Sequence, residues 1–322
     1  MRKPVRVCLS STPRSGNTWM RHALADWFEA PSSAVHSPRE VDWSALPDRY
    51  VLQIHWPPSE SWLRRLRQHN FRVVSIARHP AAVLLSILRF AQRDDSTSRW
   101  LLGRAGNERA LVGATPIDQQ FAQYVKSPRA KLLLGITPSW WLIPATVKLR
   151  FEDLIANPSV EMGKVLAELD ADAGKRTQDG IMPPDLLEMR RRVPSNAYHF
   201  WTGSASGWRR FMTRELSEAI QAHHNEAFAV LGYSPLPVDN SAEEVQMEWL
   251  VEEATILGSI NNDLKWELTR LAAENDQLRA DLASAEVDYG VGPRVLRVAR
   301  AITRARRFFG PHATGDNPSR KS

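Results

Sequence analysis

Between Leu9 and Leu24 the chain reads LSSTPRSGNTWMRHAL, and the residue types in its middle are those that hold an anion. Small hydroxyl residues end a hydrophobic run. Pro13, Arg14, Ser15, Gly16, Asn17 and Thr18 then form a turn, and Trp19 opens an apolar helical pattern. Successive backbone N–H groups at such a turn, with the positive end of the helix dipole, attract a phosphate or sulfate. Gly16 permits close approach, Thr18 can donate its hydroxyl, and Arg14 adds a permanent, forked charge. The triphosphate-binding signature ending in Gly-Lys-Ser/Thr is absent, so Mg²⁺-triphosphate chemistry is not expected. Taken alone, the stretch also reads as an ordinary capped helix start.

Two more candidate groups stand at strand ends. The run FRVVSIA (71–77) leads into Arg78-His79-Pro80, with Ser86 eight residues after the arginine. Arg can hold phosphate oxygens bidentately, and Ser86 can reach back if Pro80 starts the helix. The run YVLQIH (50–55) ends in His55, whose ordinary pKa of about 6.5 suits a base near neutrality. His79, His22 and His36 are weaker candidates for that role.

The elements that must position these groups are legible as strands at 5–10, 50–55, 71–77 and 146–151, with helical patterns between them. Strand–helix alternation predicts an α/β fold with a central, mainly parallel sheet. Ligands in such sheets bind at the carboxyl ends of the strands, where Leu9–Thr18, His55 and Arg78 all fall. A chain of 322 residues has ample core, and 43% hydrophobic with 24% charged residues is a globular composition. The single cysteine, Cys8, excludes a disulfide framework and fits a reducing compartment. There is no signal-peptide pattern and no run of ~18 apolar residues, so the expected location is cytoplasmic.

The net charge of +6 is segregated: residues 289–322 carry +7, residues 243–288 carry −9 and residues 1–242 carry +8. A basic folded region suits an anionic ligand. Residues 1–235 read as the α/β domain, closed by LGYSPLPVDNS with its two prolines, and 236–245 as a linker. Residues 246–288 follow as a coiled coil, with Leu250, Leu257, Leu264, Leu271 and Leu278 seven apart. With these at d, Asn261 and Asn275 fall at a, a pattern for a parallel two-stranded coil and hence a homodimer through residues 247–285. One long amphipathic helix packed on its own domain is the alternative, and antiparallel or hetero-pairing stays open. Residues 289–322 read as a basic amphipathic helix (294–309) with a disordered tail. Arg297, Arg300, Arg304 and Arg307 share a face suited to an anionic membrane surface at the inner face, and as well to a nucleic-acid patch or a merely solvated face.

In order and spacing, these stretches resemble the sulfotransferases that use 3′-phosphoadenosine 5′-phosphosulfate (PAPS). Pro13–Trp19 is similar to the family's first phosphate loop, with Asn17 as a departure. Arg78-His79-Pro80 with Ser86 is similar to its 3′-phosphate site, and His55 takes the place of its catalytic base. LRFEDLIANP (149–158) is similar to a structural strand–loop, in which Glu152 or Asp153 would cap the next helix. FWTGSASGWRRFMT (200–213) is similar to the cofactor-covering loop, with Trp201 and Thr202 replacing an Arg-Lys pair.

The resemblance covers roughly residues 5–235 and implies a three-layer P-loop-like fold followed by the long C-terminal helix. It implies sulfuryl transfer from PAPS to an acceptor hydroxyl, on a glycan, a lipid-linked saccharide or a small molecule, without a metal. His55 and Arg14 would be catalytic. Arg14, Ser15, Gly16, Asn17, Thr18, Trp19, Arg78, Ser86, Thr202 and Gly203 would bind the donor, with Trp19 stacking on adenine or packing the core. Residues 91–145 would line the acceptor pocket, where Trp140 and Trp141 could stack on sugar rings or aromatics or, as tryptophan pairs more often do, serve packing; nucleic acid is not an expected partner. A nucleotide- or sugar-kinase-like phosphotransferase and a non-catalytic coiled-coil scaffold with a degenerate nucleotide-binding domain are the other classes these residues allow.

Overall fold

Five strands form one wholly parallel sheet in the order β2-β3-β1-β4-β5. They are β1 (Val5–Ser10), β2 (Ser32–Val35), β3 (Arg49–Ile54), β4 (Phe71–Ala77) and β5 (Val147–Arg150). The coordinates are a computed structural model, which describes residues 4–169, 206–235 and 237–289. β1 lies at the centre, with Ser10 opposite Ile54 of β3 and Leu9 opposite Val74 of β4. The chain leaves β1 for β2 and β3 on one side, then crosses to β4 and β5 on the other. That reversal opens a crevice at the carboxyl end of β1.

Alternation along the strands feeds two cores. Val7 and Leu9 face one side with α1 (Asn17–Phe28), α7 (Phe151–Ala156) and α8 (Pro158–Leu169). Cys8, Leu52 and Ile54 face the other, under α2 (Glu60–Gln68), α3 (Pro80–Ala91) and α4 to α6 (Gln119–Val125, Pro128–Leu134, Ile136–Trp141). The result is the expected three layers. α3 starts at Pro80 as its sequence requires, and all twelve of its residues are buried, which explains its continuous apolar run.

The insert between α3 and α4 carries left-handed Leu101 and Leu102. It is tied down by a buried ion pair, Arg129 Nε to Glu108 Oε1 at 2.7 Å. Arg129 also donates to the carbonyls of Trp100, Arg104 and Thr97. Trp140 is fully buried and donates Nε1–H to the Trp56 carbonyl at 2.8 Å. It is therefore a packing residue and not a wall for an acceptor.

α9 (Arg214–Leu231) ends at Gly232 in the left-handed region. The expected linker is shorter than 236–245, because α10 (Ala242–Tyr289) starts at Ala242. A reciprocal cap fixes that start: Glu244 N–H donates to Ser241 Oγ and Ser241 N–H donates to Glu244 Oε2. The chain divides into two units, Met1–Ala254 and Thr255–Ser322. The first turns of α10 belong to the first unit. Val245 and Trp249 are buried there, and the Arg89 guanidinium lies 4.3 Å over Trp249 and 5.0 Å over Phe211. Glu252 and Glu253 lie 3.7 and 3.5 Å from Arg89 Nη1.

Among the described residues no helix is long and apolar enough to cross a membrane. The expected basic helix 294–309 lies outside the described residues.

Candidate functional site

The loop Ser11–Gly16 begins where β1 stops, and its backbone is bent twice. Arg14 has φ 68° and Gly16 has φ 99°. A Cβ on Gly16 would stand 2.8 Å from Phe151 Cδ2, so the position requires glycine for conformation and for clearance. α1 follows at once, and its Gly16 cap supplies no side-chain acceptor to the first N–H groups. A left-handed turn feeding an uncapped helix start is a concave array of donors, suited to an anion.

Hydroxyls hold this loop in place. Ser11 Oγ accepts from Ile76 N–H at 2.7 Å, Thr12 N–H donates to Thr137 Oγ1 at 2.8 Å, and Thr12 Oγ1 donates to the Leu133 carbonyl at 3.0 Å. Asn17 Nδ2 donates to the Thr12 carbonyl at 3.0 Å. Ser15 Oγ and Asn17 Oδ1 are buried and have no hydrogen-bond partner among the described residues. Thr18 sits on the first turn of α1, and Trp19 is half-buried against the core on that face of the sheet.

Two strand-end groups meet the loop, and the loop's own Arg14 reaches α3. His55, one residue past β3, places Nδ1 2.9 Å from the Ser11 carbonyl. A carbonyl only accepts, so Nδ1 carries the proton and Nε2 keeps its lone pair. Burial depresses the His55 pKa to about 4; the Ser11 bond opposes this, while the charges of His36 and Arg14 add to it. Arg78, one residue past β4, donates Nη1–H to the Arg14 carbonyl at 2.9 Å and lies 4.4 Å over Phe151. Burial lowers its pKa to about 10, against the pull of Glu152 and Tyr233. Arg14 donates Nε–H to Ser86 Oγ on α3 at 3.1 Å, its guanidinium 4.4 Å over Phe90.

The other histidines are placed differently. His79 is the N-cap of α3, accepting from Ala81 N–H at Nδ1 and stacked on Trp208 at 4.4 Å. Burial holds its pKa near 4. His22 Nε2 contacts Arg21 Nη2, and His36 follows β2 with its own pKa lowered by burial. Thr202 and Gly203 lie outside the described residues. Just beyond them, Arg209 is exposed and Arg210 pairs with Glu252 of α10.

Several residues at the site have partners that no local sequence signal gives. Glu152 does not cap α7; it accepts from His79 N–H at 2.9 Å and from Tyr233 Oη at 2.6 Å, tying the Arg78 turn to the end of α9. Thr137, Phe90 and Phe151 support the loop and its arginines from distant parts of the chain. The Phe151 clearance follows only from the fold.

No protein-family model matches the sequence, and no characterised protein sequence matches it. Among solved structures the chain is similar to mouse sulfotransferase SULT7A1 complexed with PAP, at 15% identity, over 72% of this chain and 90% of that one, with a TM-score of 0.48. It is also similar to retinol dehydratase in complex with androsterone and inactive cofactor PAP, at 14% identity, over 71% and 82%, with a TM-score of 0.41.

Proposed function

We propose that the chain transfers a sulfuryl group from PAPS to an acceptor hydroxyl. The observation that carries this reading is the convergence of two strand-end groups on one loop, His55 on the Ser11 carbonyl and Arg78 on the Arg14 carbonyl, with the loop's own Arg14 reaching Ser86. The donor set fits a nucleotide with phosphates at both ends. It comprises two guanidinia, a left-handed turn of N–H groups, and a buried Ser15 hydroxyl lacking a partner among the described residues.

PAPS, when bound, supplies an electrophilic sulfur on a phosphate leaving group. The loop amides with Ser15, Gly16, Asn17 and Thr18 hold the 5′-phosphate. Arg78 and Ser86 would hold the 3′-phosphate, with Trp19 beside the adenine; Thr202 and Gly203, the other expected donor-binding residues, lie outside the described residues. Arg14 stabilises charge developing on the bridging oxygen, and a preorganised donor of this kind is worth ~3–4 kcal/mol of transition-state stabilisation. His55 receives the acceptor's proton at Nε2, the nitrogen its hydrogen bond to Ser11 leaves basic. None of these roles requires a metal.

The acceptor class is a hydroxylated glycan, lipid or small molecule. On this reading the other partners are a second copy of the chain through residues 247–285 and an anionic membrane surface through 294–309, on a cytoplasmic protein. Calorimetry with adenosine 3′,5′-bisphosphate tests the core of the reading. Micromolar binding that survives EDTA and is lost in Arg78→Ala is expected, with labelled-donor turnover lost in His55→Ala. Absence of binding refutes it and favours the scaffold.

A further inference from the structure

We propose that the stripe Leu257, Leu264, Leu271 and Leu278 of α10 pairs with the same stripe of a second copy, parallel and in register, with Asn261 and Asn275 each meeting its own counterpart. This sharpens the pairing expectation to one orientation and one register. It does not rest on the transfer chemistry.

The first observation is exposure. α10 belongs to the first unit up to Ala254, with Val245 and Trp249 buried and Glu252 and Glu253 beside Arg89. Beyond that point its four seam leucines are 58%, 58%, 48% and 57% exposed. Isolated helices are marginal in water, and most of their stability comes from burying an apolar face. Seven-residue spacing keeps these leucines on one narrow stripe, the width of a coiled-coil seam and narrower than a face packed on a globular core.

The occupant is selected by what interrupts the stripe. Asn261 and Asn275 stand at the a positions of the same heptads. Buried against an unrelated apolar groove, each carboxamide loses hydrogen bonds to water without replacement. A parallel, in-register copy brings an identical carboxamide to the same height, and that match fixes register and a two-stranded state.

Charge selects the orientation. The g positions are Ile260, Glu267, Glu274 and Asp281 and the e positions Gly258, Lys265, Ala272 and Arg279, so the g charges are all acidic and the e charges all basic. Parallel helices set g against the partner's following e, which places Glu274 beside Arg279 of the other copy. Antiparallel helices set g against g and e against e, so acids meet acids and bases meet bases. The contacts these two groups make within one chain, Glu274 to Arg270 at 3.6 Å and Arg279 to Asp276 at 3.9 Å, are exposed and weak.

Sedimentation equilibrium on the full chain is expected to give a dimer at micromolar concentration. Leu264→Glu/Leu271→Glu should be monomeric while the melting transition of the first unit is kept. Leu278→Cys should form a covalent dimer under mild oxidation, since the native Cys8 is fully buried. A d-position cysteine near one end of the seam meets its counterpart only in parallel pairing. Asn261→Leu/Asn275→Leu should associate at least tenfold more tightly and populate species beyond the dimer. A monomeric or trimeric native chain, an efficient dimer of the charged double variant, or a Leu278→Cys dimer that does not cross-link overturns the proposal. Binding of adenosine 3′,5′-bisphosphate by the monomeric variant reads the functional site separately.

Discussion

Replacing Gly16 by alanine isolates the turn on which the candidate site is built. Two costs add. The backbone is at φ 99°, and left-handed conformations cost an L-residue roughly 1–2 kcal/mol. The new methyl would lie 2.8 Å from Phe151 Cδ2 and 3.3 Å from Cε2, so the ring must move. Overpacking of this kind costs roughly 1–3 kcal/mol. The sum is roughly 2–5 kcal/mol, and at about 2–4 °C per kcal/mol for a unit of this size the melting transition should fall by about 4–20 °C.

A double-mutant cycle separates the two costs. Phe151→Leu in the Gly16→Ala background should recover the steric part and leave the backbone part, giving a coupling of roughly 1–3 kcal/mol between the positions. Thermal unfolding followed by circular dichroism reads all four corners. Because Phe151 also lies under Arg78, Gly16→Ala should weaken adenosine 3′,5′-bisphosphate binding as well. A Gly16→Ala transition within 2 °C of the parent, or strictly additive substitutions, refutes the geometry argued for the turn.

Other perturbations follow from burial and charge. The His55 imidazole should titrate near pH 4 by ¹⁵N NMR, protonated only at Nδ1 at pH 7; a midpoint at or above 6.5 contradicts its placement. Since His55 and His79 both have folded pKa values near 4 against ~6.5 unfolded, the unfolded chain binds protons first. Stability is therefore kept above pH 6.5 and lost as pH falls from there towards 4, a loss that His79→Asn should reduce. Glu108→Gln leaves the Arg129 cation buried without a counter-charge and should cost roughly 3–5 kcal/mol in chemical denaturation. Trp249→Ala opens the stack on Arg89 and should cost about 3–5 kcal/mol, marking the start of α10 as part of the first unit.

The elements carrying the chemistry were legible because their signals are local. β1, β3 and β4 are apolar runs, Pro80 announces α3, and the Arg14–Gly16 turn is written in consecutive residues. β2 has no such signal: Ser32–Val35 offers one β-branched apolar residue in four, and it is a strand because β3 presents an open edge to it. Ala242 to Val245 carry no helical signal apart from their cap and fall in the expected linker, and Trp249, placed in the expected coiled coil, acquires its packing role only against Arg89 and Phe211. Long-range partners such as Thr137 and Glu152 leave no periodic trace, since one hydroxyl or carboxylate at a distant position suffices.

One feature of the charge arrangement links the fold to the chemistry proposed for it. With a pKa near 10, Arg78 is cationic at neutral pH, yet its guanidinium donates to a carbonyl, and no carboxylate lies within ion-pair distance among the described residues. Glu152, whose charge acts on Arg78, has both oxygens turned to other donors, His79 N–H and Tyr233 Oη. Neutralising Arg78 with an adjacent carboxylate would have stabilised the free protein more simply. Holding a partly desolvated cation at a strand tip without direct pairing instead keeps its field directed at the crevice, where a doubly charged phosphate gains the most. The same logic makes Arg78→Lys a poor substitute: a point charge cannot hold the Arg14 carbonyl and reach two phosphate oxygens at once.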